Sequence, residues 1–140
     1  MLTFGMIDKS IRNHQILASS TKLISTLDSF PWDARLKVPY GAWIAGIKDQ
    51  DQWLQIDFER VMRVRKIATQ GHPRYDYWVD TFRLDYTVNN TLNGTDWLTY
   101  QEDDGTHCTG CERTMVDRVS IGFKKKVNIC HYHITYSCKT

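Results

Sequence analysis

The residues best equipped for chemistry gather in the C-terminal third of the 140-residue chain. His107-Cys108-x-x-Cys111 is followed by Cys130-His131-Tyr132-His133 and then Cys138, a mixture of thiols and imidazoles of the kind zinc prefers. Cys108 and Cys111 have knuckle-like spacing, but Cys130 and Cys138 are far apart within a β-prone stretch. That second half fits zinc poorly, so zinc is not expected at the tail. Disulfides in an oxidising compartment suit the four thiols better, and four cysteines allow three pairings that the sequence does not separate.

Catalytic frameworks are missing. A nucleophilic triad needs a Ser or Cys held near a His and a carboxylate, and no Gly-x-Ser-x-Gly elbow frames one. Neither Gly-x-Gly-x-x-Gly nor a P-loop is available to cradle phosphate, so the chain is not expected to be an enzyme. Asn89-Asn90-Thr91 and Asn93-Gly94-Thr95 are N-glycosylation acceptors, which makes Asn89 and Asn93 candidate glycan carriers.

The elements that would position such groups are strands. In Trp53-Leu54-Gln55-Ile56-Asp57-Phe58 the apolar residues alternate with polar ones, so Leu54, Ile56 and Phe58 share an inward face. Phe82 to Val88 alternates in the same way and places Arg83, Asp85 and Thr87 toward water. Lys66 to Gln70 is β-prone and ends at Gly71. Asn93-Gly94 supplies the tight turn of a hairpin whose second strand begins at Trp97. Val127 to Tyr136 is a last β-prone stretch. There is no capped amphipathic helix and no repeat, so the expected fold class is an all-β antiparallel sandwich or barrel.

Composition narrows the partners. Eighteen Lys and Arg against sixteen Asp and Glu leave a net charge of +2, too small a field to favour nucleic acid. Lys124-Lys125-Lys126 is too short to change that and reads as a solvated charge run. A hydrophobic content of 41% with five Trp is that of a folded domain. No run approaches the roughly 20 apolar residues of a spanning helix, and the chain as given is expected to be soluble, with no signal peptide at its start.

Several short motifs, in order, resemble the discoidin domain, also called the coagulation factor five/eight type C domain. They are Phe4-Gly5-Met6, Gln15 to Ser20, Ala34-Arg35-Leu36, Ala42-Trp43, Gln52 to Phe58, Ile67 to Gly71 and Trp78-Val79. The resemblance implies a jelly-roll β-sandwich whose loops project at one end and hold the ligand. It also implies an extracellular or cell-surface module that binds a phospholipid head group, a membrane or a glycan in adhesion or recognition. The alternatives are a matrix or receptor protein as partner, or a purely structural piece of a larger mosaic protein. No cofactor is implied beyond calcium, which the resemblance allows.

Transferred onto this chain, the resemblance makes Thr21 to Asp33 the first loop, where Lys22 would meet a phosphate and Leu23 and Ile24 would enter lipid. Leu27 and Phe30 are as well suited to tucking under the sandwich. Tyr40 belongs to a second loop. His72, Arg74, Tyr75 and Tyr77 belong to a third, where the Arg74 fork and a tyrosine face suit a sugar or an anion. Trp43, Trp53 and Trp78 fall within strand-like motifs and are expected in the core.

These motifs end near Tyr100. The opening Cys of the family, its Arg-Tyr-Ile-Arg-like segment and its closing Leu-x-Gly-Cys are not visible. Residues 1–100 are therefore the recognisable part. Residues 101–140 are a divergent cysteine-containing segment that either completes the same domain or is a splice or gene-model variant. Losing late strands would leave open edges and marginal stability, unless Val127 to Tyr136 replaces one.

Overall fold

The computed structural model describes residues 5–23, 29–36, 38–39, 41–49, 51–75, 81–87, 97–101 and 119–137, with backbone alone for 65–68, 81 and 119–137. Five strands are found among the described residues: β1 (Ile16–Ala18), β2 (Gln52–Thr69), β3 (Thr81–Thr87), β4 (Leu98–Thr99) and β5 (Val119–Ser137). They form an antiparallel sheet of order β1-β2-β5-β3-β4. Helical structure among the described residues is confined to short 3-10 turns at Asn13–Gln15 and Pro31–Ala34, and no helix there is long and apolar enough to cross a membrane.

The expected alternation produces the core. Leu54, Ile56 and Phe58 of β2 are buried with Phe82 and Leu84 of β3, and Ile11, Ile16 and Tyr100 close the cluster. Trp43 packs partly buried against it, as expected. Trp53 does not, because the two-residue pleat sets it on the face of Gln55 and Asp57, opposite Leu54. Trp78 lies outside the described residues.

Two residues expected in water are also buried. Asp85 is 4% exposed and Thr87 is buried with it, so the face of β3 opposite Leu84 is covered as well. The Asp85 carboxylate accepts from Arg83 Nε at 2.9 and 3.1 Å and from Thr99 Oγ1 at 2.7 Å, which offsets its loss of water.

The stretches 53–58 and 66–70, read as separate strands, are two arms of β2. Register passes from Asp57↔His131 to Met62↔Ile129, so residues 58–61 bulge opposite Cys130. Glu59 takes the left-handed φ of 58° at this corner, and its N–H is held by Asp57 Oδ1 at 2.6 Å. Such bends let one strand serve two layers of a sandwich.

Before β1, the chain is clamped from outside. Arg35 Nη1 donates to Met6 O (2.9 Å), and Nη2 donates to Ile11 O (2.7 Å) and Asn13 Oδ1 (2.9 Å). Gln15 closes the following turn by accepting from Arg12 N and donates to Asp57 O of β2.

Val127 to Tyr136 lies within β5, which pairs along β2 on one side and β3 on the other. The centre of the sheet is therefore filled by the segment whose sequence motifs gave out. The hairpin read around Asn93-Gly94 is present as β3 against β4. Its tip, with Asn89 and Asn93, lies outside the described residues.

Candidate loop-end binding site

The register gathers two loops and the start of β3 at one end of the sheet. Ala18 pairs with Leu54, so the chain leaving β1 at Ser19 does so beside the start of β2 at Gln52. Tyr136 pairs with both Gln52 and Phe82, and Ser137 with Thr81, so β3 starts level with β2, about 10 Å away across β5. Residues 19–23 and 41–49 thus converge on the same end as the start of β3.

The two loops are tied together. Ser20 Oγ accepts from Gly46 N (2.9 Å) and Ile47 N (3.2 Å) and donates to Gln52 Oε1. Lys22 N donates to Ile44 O at 2.9 Å, and Trp43 Nε1 donates to Ser20 O at 3.0 Å. The loops approach so closely that a Cβ on Gly46 would stand 2.7 Å from Thr21 O, which excludes any other residue without a backbone shift. Ser29, buried nearby, accepts from Ile44 N and donates to Ala42 O.

This scaffold carries Leu23 at 75% exposure and Ile47 at 58%, beside the half-buried Lys22 and the exposed Lys48. Leu23 was expected here. Ile47 and Lys48 were not, and their signal was an isolated apolar residue between Gly46 and a polar run just ahead of Gln52-Trp53. Phe30, expected as readily beneath the sandwich, is at the surface with its ring stacked on Trp32 at 4.7 Å.

The third loop is organised by His72. Expected at a ligand, this side chain is instead 3% exposed, and its Nδ1 accepts from Arg74 N (3.1 Å) and Tyr75 N (3.2 Å). A histidine used in this way stays close to the chain it turns, so its effect on a ligand is through the loop. Arg74 and Tyr75 are exposed at the turn, and the Tyr75 ring lies 5.0 Å from the imidazole at a 45° tilt. Ile24, Tyr40 and Tyr77 lie outside the described residues, as do Cys108, Cys111 and Cys138. Cys130 is placed in β5 by its backbone.

Burial, reinforced by the Arg74 charge, holds the His72 pKa below its ordinary 6.5. The unfolded chain then binds the proton more readily, so this contribution to stability is complete above pH 6.5 and is lost as pH falls through the lowered value. Protonated Nδ1 also cannot accept the two N–H groups. Acidification from pH 7.5 to 5 is expected to loosen residues 72–75, seen as faster amide exchange at Arg74 and Tyr75. His72→Asn, which keeps a local acceptor, should abolish the pH dependence; unchanged exchange across that range in the parent would refute it.

The match to known proteins follows this geometry. A family model for the F5/8 type C domain matches residues 15–129. The chain belongs to that family. The F5/8 type C match runs beyond Tyr100, where the short motifs end, and takes in most of β5. The human EGF-like repeat and discoidin I-like domain-containing protein 3 is 34% identical over 71% of this chain, and bovine coagulation factor V is 33% identical over 84%. This chain spans only 21% and 5% of those two relatives' own lengths. Among solved structures, the family 32 CBM from Clostridium perfringens NanJ, in complex with galactose, superposes with a TM-score of 0.64 at 14% identity, covering 91% of this chain and 85% of that one. The fold is thus the expected jelly-roll β-sandwich of discoidin type.

Proposed function

We propose that this F5/8 type C domain is a non-catalytic recognition module that binds a cell-surface glycan at its loop end, outside the cell. The observation that carries this reading is the His72-braced turn, on which Arg74 and Tyr75 follow one another as exposed residues. A sugar ring offers C–H groups to the tyrosine face and hydroxyl oxygens to the guanidinium, and a turn already fixed loses little entropy on binding. The galactose in the similarly folded NanJ module supports a sugar as ligand class.

A second reading rests on Leu23 and Ile47. Two exposed aliphatic side chains on tied loops beside Lys22 and Lys48 suit insertion into an anionic membrane, each burial contributing about 1.5–3 kcal/mol. One experiment separates the two. The protein is titrated with galactose-terminated glycans and with phosphatidylserine vesicles, in parallel with Tyr75→Ala and the double variant Leu23→Ser/Ile47→Ser. The glycan reading expects sugar binding that Tyr75→Ala reduces at least tenfold and the double variant leaves intact. Vesicle binding lost only in the double variant would replace it with the membrane reading, and silence in both arms would rule out both.

A further inference from the structure

The turn at residues 72–75 is braced by the side-chain type whose charge changes nearest neutral pH. Pro73 has no N–H, so the first backbone donors beyond His72 are those of Arg74 and Tyr75, and both are directed at Nδ1, at 3.1 and 3.2 Å. Two donors converging on one ring nitrogen require its lone pair. The imidazole is therefore neutral here, with its proton on Nε2. Residues 73–75 form a bend outside any strand or helix, so the ring supplies the acceptor that a carbonyl supplies in a regular turn.

Protonation removes that acceptor completely. An imidazolium donates from both nitrogens, so no rotation of the ring offers a lone pair to either N–H. The new Nδ1–H would face the two donors it had held, and at 3% exposure the new charge would be poorly hydrated. Among the described residues, the groups facing the ring are the Arg74 guanidinium, a like charge, and the Tyr75 phenol ring at 5.0 Å. Neither stabilises a cation buried between them as a carboxylate would. The turn must leave its present shape for the ring to reach water.

We propose that His72 makes the Arg74–Tyr75 site acid-releasing: protonation of its ring unlocks residues 73–75, parts the guanidinium from the tyrosine face, and frees the glycan. This inference rests on the glycan reading above and adds the regulation of that site. Such a module holds its ligand at the pH of extracellular fluid and lets go in an acidified compartment. When the neutral form alone binds, the apparent Kd rises as the reciprocal of the neutral fraction, approaching about tenfold per pH unit below the His72 midpoint. Bound glycan must in turn hold the ring neutral and push that midpoint lower. Burial, with the Arg74 charge, already sets it below the ordinary 6.5 in the free protein, so release belongs to acid and not to neutral conditions.

The test is calorimetric titration with a galactose-terminated oligosaccharide from pH 7.5 to 5, over the range in which circular dichroism shows the fold intact. Galactose carries no titratable group, so any pH dependence belongs to the protein. The expected result is binding at pH 7.5 that weakens toward acid with the slope given above. Saturating glycan should also lower the His72 midpoint, read from its imidazole proton resonances. His72→Asn keeps an acceptor that does not titrate and should lose the pH dependence, whatever its affinity at pH 7.5. Should that variant fail to fold, the glycan-induced change of the His72 midpoint in the parent answers the same question. Equal affinity at both ends of the range, equal weakening in the variant, or a midpoint unmoved by glycan would each overturn the release mechanism and leave the glycan reading standing. No binding at pH 7.5 would overturn the glycan reading itself, and the release mechanism with it.

Discussion

Ile56→Ala is expected to destabilise the domain by about 2–5 kcal/mol, the range for removing a buried aliphatic side chain and leaving a cavity. Ile56 is 0% exposed and sits where β1, β2 and β5 meet, opposite Ile16 and Tyr132. Neighbours fixed in three paired backbones have little freedom to collapse into the space. A domain of this size has only about 5–15 kcal/mol in total, so the loss should move the urea midpoint by one to several molar at a slope of about 1–3 kcal/mol per molar. Val61→Ala, at an exposed position in the β2 corner, should change stability by less than about 0.5 kcal/mol. Equal midpoints for the two variants would show that Ile56 is not at the centre of the core.

Arg35→Ala should cost about 3 kcal/mol, because hydrogen bonds to a charged group contribute about 1.5–3 kcal/mol each and part of that is recovered when water reaches the freed carbonyls. The guanidinium spans Met6, Ile11 and Asn13, fixing the residues that lead into β1. Burial lowers its pKa, and the Asp8 charge acts against that. It stays cationic at any neutral pH. Arg35→Lys should recover less than half of the loss, since an ammonium cannot reproduce a planar fork aimed at separate acceptors. Urea midpoints and amide exchange at Ile11 and Gln15 report the two consequences together. Full rescue by lysine would mean that charge, not fork geometry, holds the segment.

What was legible in the sequence was local. The alternation at Leu54, Ile56 and Phe58 follows from the pleat alone, and so does that at Phe82 and Leu84. Alternation misled at Asp85 and Thr87, whose face is covered in a way that a single segment does not reveal, whereas Trp53 obeys it and was expected in the core from its motif alone. The position of β5 between β2 and β3 joins residues 44 to 84 positions apart, and no periodicity carries that information. At the loop end, Leu23 was placed through the family motifs. The inward turn of His72 was not, because a His-Pro-Arg-Tyr string says nothing about which side chain will accept its neighbours' N–H groups.

The order of the sheet also bears on how the protein is made. The strand that joins its two halves is the last of the five described strands to leave the ribosome. Until residues 119–137 emerge, β1 with β2 and β3 with β4 are separate pieces, each with an unpaired edge and an apolar face. Closure must wait for β5 to emerge, and pairing across so many intervening residues is slow. During synthesis the nascent chain is therefore a natural client for chaperones that shield apolar strands.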